Sequence, residues 1–154
     1  MTRRRDVIST GASLAGLLAT MTLLPRSALS QAGWNKAAFE ARSLEQAAGA
    51  LGIAKPVESA EVVLQGPDIA ENGAVVPLGA SSALPGVKRL MLLVEKNPNT
   101  LVALFELSDA VEPNIATRVK MAETSNVYAV AVLADNRVLY AVKQIKVTLG
   151  GCGG

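Results

Sequence analysis

From Pro56 onward the chain consists of short aliphatic and β-branched runs, each closed by a turn signal. This punctuation is the strongest constraint on its fold. Glu61–Gln65 stops at Gly66-Pro67, and Ala74–Leu78 follows the turn dipeptide Asn72-Gly73. Val87–Glu95 follows Pro85-Gly86, and Leu101–Leu107 follows Asn97-Pro98-Asn99. Runs this short with glycine, proline and asparagine between them predict strands. Pro77 has no N–H to give a ladder, so its run is expected at an edge or a bulge. The small residues from Gly79 to Gly86 predict a loop. The unbroken apolar stretch within Val87–Glu95 predicts a strand buried on both faces.

Beyond Pro113, Ile115, Thr117, Val119 and Met121 alternate with Ala116, Arg118 and Lys120, the pattern of a half-buried strand. Asn126–Ala134 and Arg137–Leu149 read as two more strands joined by a tight turn at Asp135-Asn136. In the last run Val138, Tyr140 and Val142 share one face, whereas Ile145, Val147 and Leu149 share the other. A period-2 pattern that changes phase predicts a β-bulge near Lys143-Gln144. The segment Asp68–Glu71–Asn72 reads as a turn, because Asx side chains bond their own backbone. Ahead of the strands, Trp34, Ala37, Ala38, Ala41, Leu44, Ala48 and Leu51 recur at helical spacing. Gly49 and Gly52 are candidate stops, with Pro56 just beyond. The stripe is expected to pack on the chain's own core, and Phe39, off the stripe, is the candidate for an outside contact. The expected class is therefore mainly β: an immunoglobulin-like sandwich of about seven strands with one N-terminal helix.

The first thirty residues read as an address. Basic Arg3-Arg4-Arg5 is followed by a small, apolar stretch from Val7 to Leu24, then Pro25 and Ala28-Leu29-Ser30. A basic start, an apolar middle and a small-x-small end describe an export signal. Arg4-Arg5 ahead of Asp6-Val7-Ile8 resembles the twin-arginine signal of bacteria. Cleavage is expected near Ser30–Gln31, with Ala32–Gly33 as the other candidate, and no stable membrane insertion is expected afterwards. A membrane anchor is the competing reading, weakened by Ser9, Thr10, Gly11 and Gly16 within the stretch. The domain plan is thus a signal over 1–30, a helix plus β-sandwich domain over 31–149 and an arm over 150–154. The expected location is the periplasm.

Composition then narrows the chemistry. The 15 basic and 13 acidic residues include four basic and one acidic group in the first thirty, leaving 11 against 12. No basic patch interleaved with aromatics remains, so nucleic-acid binding has little support. There is no histidine, which removes the commonest general base and metal ligand. With one cysteine, an internal disulfide, a Cys-x-x-Cys pair and covalent haem attachment are all excluded. Neither a cofactor nor a metal is expected.

That cysteine lies within Gly150-Gly151-Cys152-Gly153-Gly154. Glycine moves freely and brings no side chain to clash in a narrow channel. The five residues therefore read as a flexible arm presenting one thiol. No helix N-terminus or metal is close in sequence, and the nearest cations are Lys143 and Lys146. Without local activation a thiol near pKa 8.5 is only a few per cent ionised at neutral pH, roughly speaking. Cys152 is thus expected to be a substrate attachment point acted on by other proteins, with no catalytic residue in the chain.

The Gly-Gly-Cys-Gly-Gly arm, the twin-arginine leader and the stretch Pro67-Asp68-Ile69-Ala70-Glu71-Asn72-Gly73-Ala74-Val75-Val76-Pro77 together resemble SoxY. This is the sulfur-carrier subunit of the bacterial thiosulfate-oxidising Sox system. The resemblance implies that Cys152 holds sulfur intermediates covalently. A haem protein conjugates thiosulfate, a hydrolase releases sulfate, and a dehydrogenase oxidises the remaining sulfane sulfur. It also implies a heterodimer with a SoxZ-like immunoglobulin-like partner. Two other readings stand beside it: a thiol-dependent redox enzyme using Cys152 as nucleophile, and a purely structural exported sandwich.

Overall fold

The structure is a computed structural model that describes residues 35–149. The signal segment with Arg4 and Arg5, Trp34, and the arm with Gly150, Gly151, Cys152, Gly153 and Gly154 lie outside the described residues. Two short helices come first, α1 (Lys36–Phe39) and α2 (Leu44–Leu51). They are followed by β1 (Val57–Glu58), β2 (Val62–Gln65), β3 (Ile69–Asn72), β4 (Val76–Ser82), β5 (Val87–Val94), β6 (Leu101–Glu106), β7 (Asn114–Val119), β8 (Ser125–Leu133) and β9 (Val138–Leu149).

The single expected helix is thus two. A capping motif interrupts the helical stripe: Ser43 Oγ accepts from Gln46 N at 3.1 Å, and Gln46 Oε1 accepts from Arg42 N at 2.9 Å. Ser43 itself is extended (φ −151°, ψ 163°), as a helix-starting cap must be, so the chain turns and restarts there. At the other end Gly52 takes φ 65°, the left-handed stop the sequence indicates, while Gly49 lies inside α2.

The strands form a six-stranded sheet, β1-β9-β8-β5-β6 with β3 also on β9, and a three-stranded sheet, β2-β4-β7. Strand β5 explains why both faces are needed. Leu90, Leu92 and Val94 enter the core between the sheets, while Met91 and Leu93 enter a second core beneath the helices. Alternation sends successive side chains to opposite layers, so a strand covered twice is apolar at almost every position. Ala38, Ala41 and Ala47 cap the second core, and Val62, Leu78 and Ala80 close the first from the smaller sheet. The molecule is an immunoglobulin-like β-sandwich with a helical cap on one sheet.

Three local expectations are corrected. Gly79–Ser82 is not loop but the end of β4, paired with both β2 and β7. Its small side chains reflect close neighbours: a Cβ on Gly79 would lie 3.0 Å from the Ile115 carbonyl oxygen. Pro77, by contrast, sits where β4 pairs with β7 alone and is locally at an edge. The bulge expected near Lys143-Gln144 is absent, since β8 and β9 run in unbroken register from Val132↔Val138 to Ser125↔Ile145. The apparent phase change has another cause. Leu139, Ala141, Ile145 and Val147 all face the inter-sheet core, and Val138 and Tyr140 face the helical cap. Past Tyr140 the cap ends, and Val142 on that same face is exposed. The register shifts occur in β5 instead, at Leu92/Leu93 and Val87/Arg89. Finally, Phe39 is partly buried against the second core, so its position does not single it out as an outside contact.

Candidate functional site: the root of the cysteine arm

The described structure ends where the arm begins, at Leu149. Strand β9 leaves β8 after Ile145 and continues alongside β3 in parallel, with Ile69↔Lys146, Ala70↔Val147 and Asn72↔Leu149. The Asp68–Asn72 segment is thus a strand supporting the arm's root rather than a turn alone. The turn follows it, where Asn72 Oδ1 accepts from Ala74 N at 2.8 Å. Four residues of weak alternation are too short to read as a strand, which is why the sequence does not reveal it.

Side chains and backbone then fasten the root. Leu149 O accepts from Gly73 N at 2.7 Å, and Gly73 O accepts from Met121 N at 2.7 Å. Thr148 Oγ1 donates to Glu71 O at 3.0 Å, and Val147 N donates to Thr124 Oγ1 at 3.0 Å. Lys143 Nζ reaches both Asp68 Oδ1 at 2.7 Å and Gly66 O at 2.8 Å. This ion pair joins the loop before β3 to β9 and is the main feature sequence reading missed. Gly66 lies close beneath it: a Cβ there would meet Leu78 Cδ2 at 2.9 Å and Ile145 Cδ1 at 3.1 Å.

The electrostatics bear on the thiol. Lys143, one of the two cations nearest Cys152 in sequence, is committed to Asp68 and Gly66. Lys146 has an unengaged ammonium among the described residues, with its backbone N–H on Asp68 O at 3.0 Å. Among the described residues no group of three or more cysteine, histidine or carboxylate side chains is arranged to hold a metal. Among the described residues the geometry provides a fixed root for the arm.

The Lys143 hydrogen bond and charge hold the Asp68 carboxyl below its usual value of 3.8. A depressed carboxylate pKa gives stability that is present above 3.8 and lost as pH falls through the folded-state value. Asp68 is exposed, so the effect is local. Acidification below pH ~4 is expected to lower amide-exchange protection at Lys146, whose N–H bonds Asp68 O, before Leu92 is affected. Lys143→Ala should remove that acid-dependent step; an unchanged profile would contradict the role given to the ion pair.

Comparison with known proteins gives a consistent picture. The family model described as sulfur oxidation protein SoxY matches residues 47–152. Among solved structures, the sulfur carrier protein SoxY from Chlorobium limicola f thiosulfatophilum is 30% identical at a TM-score of 0.61. That match covers 68% of this chain and 94% of the other. A superoxide reductase (neelaredoxin) from Ignicoccus hospitalis is 15% identical at a TM-score of 0.51, covering 56% of this chain and 79% of that one. At such identity the likeness is one of fold alone. No curated protein matches the chain.

Proposed function

The chain belongs to the SoxY family of sulfur-oxidation proteins, and from that premise we propose that it is a periplasmic covalent carrier of thiosulfate-derived sulfur, without catalytic activity of its own. The observation that carries this reading is Cys152, the single cysteine of the chain and the last residue of the family match. The fixed root at Leu149 supports it, because a carrier needs a body that stays folded while its thiol is handled elsewhere.

The chemistry follows from family membership. An oxidising haem protein takes two electrons as the Cys152 thiol joins the outer sulfur of thiosulfate. One S–S bond forms, the thiol proton leaves, and Cys152–S–S–SO₃⁻ results. Water then attacks the sulfonate sulfur in a hydrolase, releasing sulfate and leaving a persulfide for a dehydrogenase. The carrier works as a heterodimer with a SoxZ-like subunit. Twin-arginine export through Arg4 and Arg5 delivers it to the periplasm, where an idle exposed thiol would be at risk of oxidation.

Intact-mass spectrometry of the chain purified from cells grown on thiosulfate tests the proposal. The expected spectrum shows reductant-sensitive additions of sulfur and of thiosulfonate, localised to Cys152. A spectrum of unmodified thiol only, in the absence of reductant, would overturn it.

A further inference from the structure

Asn72-Gly73 is the one place in the chain where an asparagine precedes a glycine; the other six asparagines precede Lys36, Pro98, Thr100, Ile115, Val127 and Arg137. The difference is chemical. The main-chain nitrogen after an asparagine can close a five-membered ring on the side-chain carbonyl carbon, and a side chain on the second residue hinders that closure. Glycine brings none. Asn72 is also exposed, so water reaches its side-chain amide, whereas Gly73 is buried.

The structure holds the two reacting atoms in opposite conditions. The carbonyl is prepared: Asn72 Oδ1 accepts from Ala74 N at 2.8 Å. That N–H stands where negative charge would develop on the oxygen during attack at Cγ. The nucleophile is withheld: Gly73 N donates to Leu149 O at 2.7 Å, and its proton must leave before the nitrogen can attack. Gly73 O is engaged as well, accepting from Met121 N at 2.7 Å, and Asn72 is paired with Leu149 at the last rung of the parallel ladder. The hydrogen bond that fastens the end of β9 is therefore also the bond that keeps Asn72 intact.

We propose that Asn72-Gly73 is a deamidation site gated by the β3–β9 clamp, and that its isoaspartyl product unlatches Leu149. When the clamp opens, hydroxide takes the Gly73 amide proton and the nitrogen attacks Asn72 Cγ. The Cγ–Nδ2 bond breaks, and the leaving nitrogen takes a proton from water to depart as ammonia, restoring hydroxide and leaving a succinimide. Water then opens the ring. Attack at Cγ gives aspartate at position 72; attack at the main-chain carbonyl carbon gives isoaspartate, in which the chain runs through the former side-chain methylene. One water is consumed and one ammonia released overall, with no electrons transferred. The succinimide has no hydrogen on the Gly73 nitrogen to offer Leu149 O. The isoaspartyl chain regains the N–H but carries an extra main-chain carbon at the end of β3, which puts Gly73 out of register with Leu149. Closure thus protects the site, and a single reactive lapse makes the opening permanent.

The test incubates the purified chain at mildly alkaline pH, folded and, in parallel, unfolded in urea, with reductant present. Isoaspartate is scored by methylation with an isoaspartyl methyltransferase and placed by peptide mass mapping. Asn72 should be modified in both samples, at least about tenfold more slowly in the folded one, because only the open fraction reacts. Thr148→Ala removes the hydrogen bond from Thr148 Oγ1 to Glu71 O beside the clamp. It should speed modification of the folded chain about two- to fivefold, the equilibrium worth of one ordinary hydrogen bond. Asn72→Gln, which would need a less favoured six-membered ring, should take up no label even in urea. In the isoaspartyl form, isolated by ion exchange, amide exchange should quicken at Gly73 and Met121 while Leu92 stays protected. Equal rates in the folded and unfolded chains, or an unchanged rate in Thr148→Ala, would overturn the gate and with it the proposal. So would an Asn72 that stays unmodified in urea, label that persists in Asn72→Gln, or an isoaspartyl form in which Gly73 keeps its protection. None of these readouts depends on what Cys152 carries.

Discussion

Cys152→Ser is expected to abolish covalent sulfur loading and thiosulfate-dependent growth while leaving the sandwich as stable as before. Serine keeps the size of the side chain but replaces sulfur with a hydroxyl oxygen, which forms no disulfide-type bond with thiosulfate. With one cysteine in the chain, no second thiol can substitute. The loss should therefore be complete rather than a fold-change. The two halves of the prediction are measured separately, by intact mass after growth on thiosulfate and by thermal unfolding of the purified protein. Retained growth would favour a purely structural sandwich. Thiol-dependent turnover by the purified chain alone, lost in the serine variant, would favour a redox enzyme.

The second large effect falls on the fold. Leu92 is fully buried between the sheets, and its strand is flanked by β6 and β8 at the Leu92/Leu93 register shift. Leu92→Ala removes its transfer free energy and leaves a cavity that close-packed neighbours only partly fill, at a cost of about 2–5 kcal/mol. For a domain of this size that corresponds to a fall in Tm of roughly 10 °C. Val142→Ala, on the exposed stretch of β9, should stay within about 0.5 kcal/mol. Equal effects from the two substitutions would mean that the inter-sheet core is misidentified.

The sequence revealed features whose cause is local or repeats with a clean period. The apolar run of β5, the alternation of Ile115, Thr117, Val119 and Met121, the Asp135-Asn136 turn and the Gly52 stop are all of that kind. Asn136 indeed takes φ 65° where the turn was expected. Less legible was whatever depends on what covers a strand. Strand β9 looked bulged because a helical cap covers Val138 and Tyr140 and then stops, a change in the neighbouring layer rather than in the strand. Gly79–Ser82 looked like loop because small residues signal either freedom or crowding, and only the paired strands on both sides decide which. At the site, the sequence singles out Cys152 by its uniqueness, and that residue lies outside the described ones. The Lys143–Asp68 pair was not, because the partners lie 75 positions apart and their meeting depends on the parallel β3–β9 pairing.

On the proposed carrier function, the clamp at Leu149 has a consequence for every enzyme that would act on Cys152. Because β9 is held by β3 and Gly73 to its last described residue, the reach of Cys152 toward a client is counted from Leu149 and not from further back in the chain. A client must therefore bring its reaction centre within about 11 Å of the carrier's rim, plus the cysteine side chain and its adduct. Active sites buried more deeply would have to admit part of the sandwich as well. The clients should thus share short entrance channels with mouths shaped to the same end of this domain, however different their chemistry.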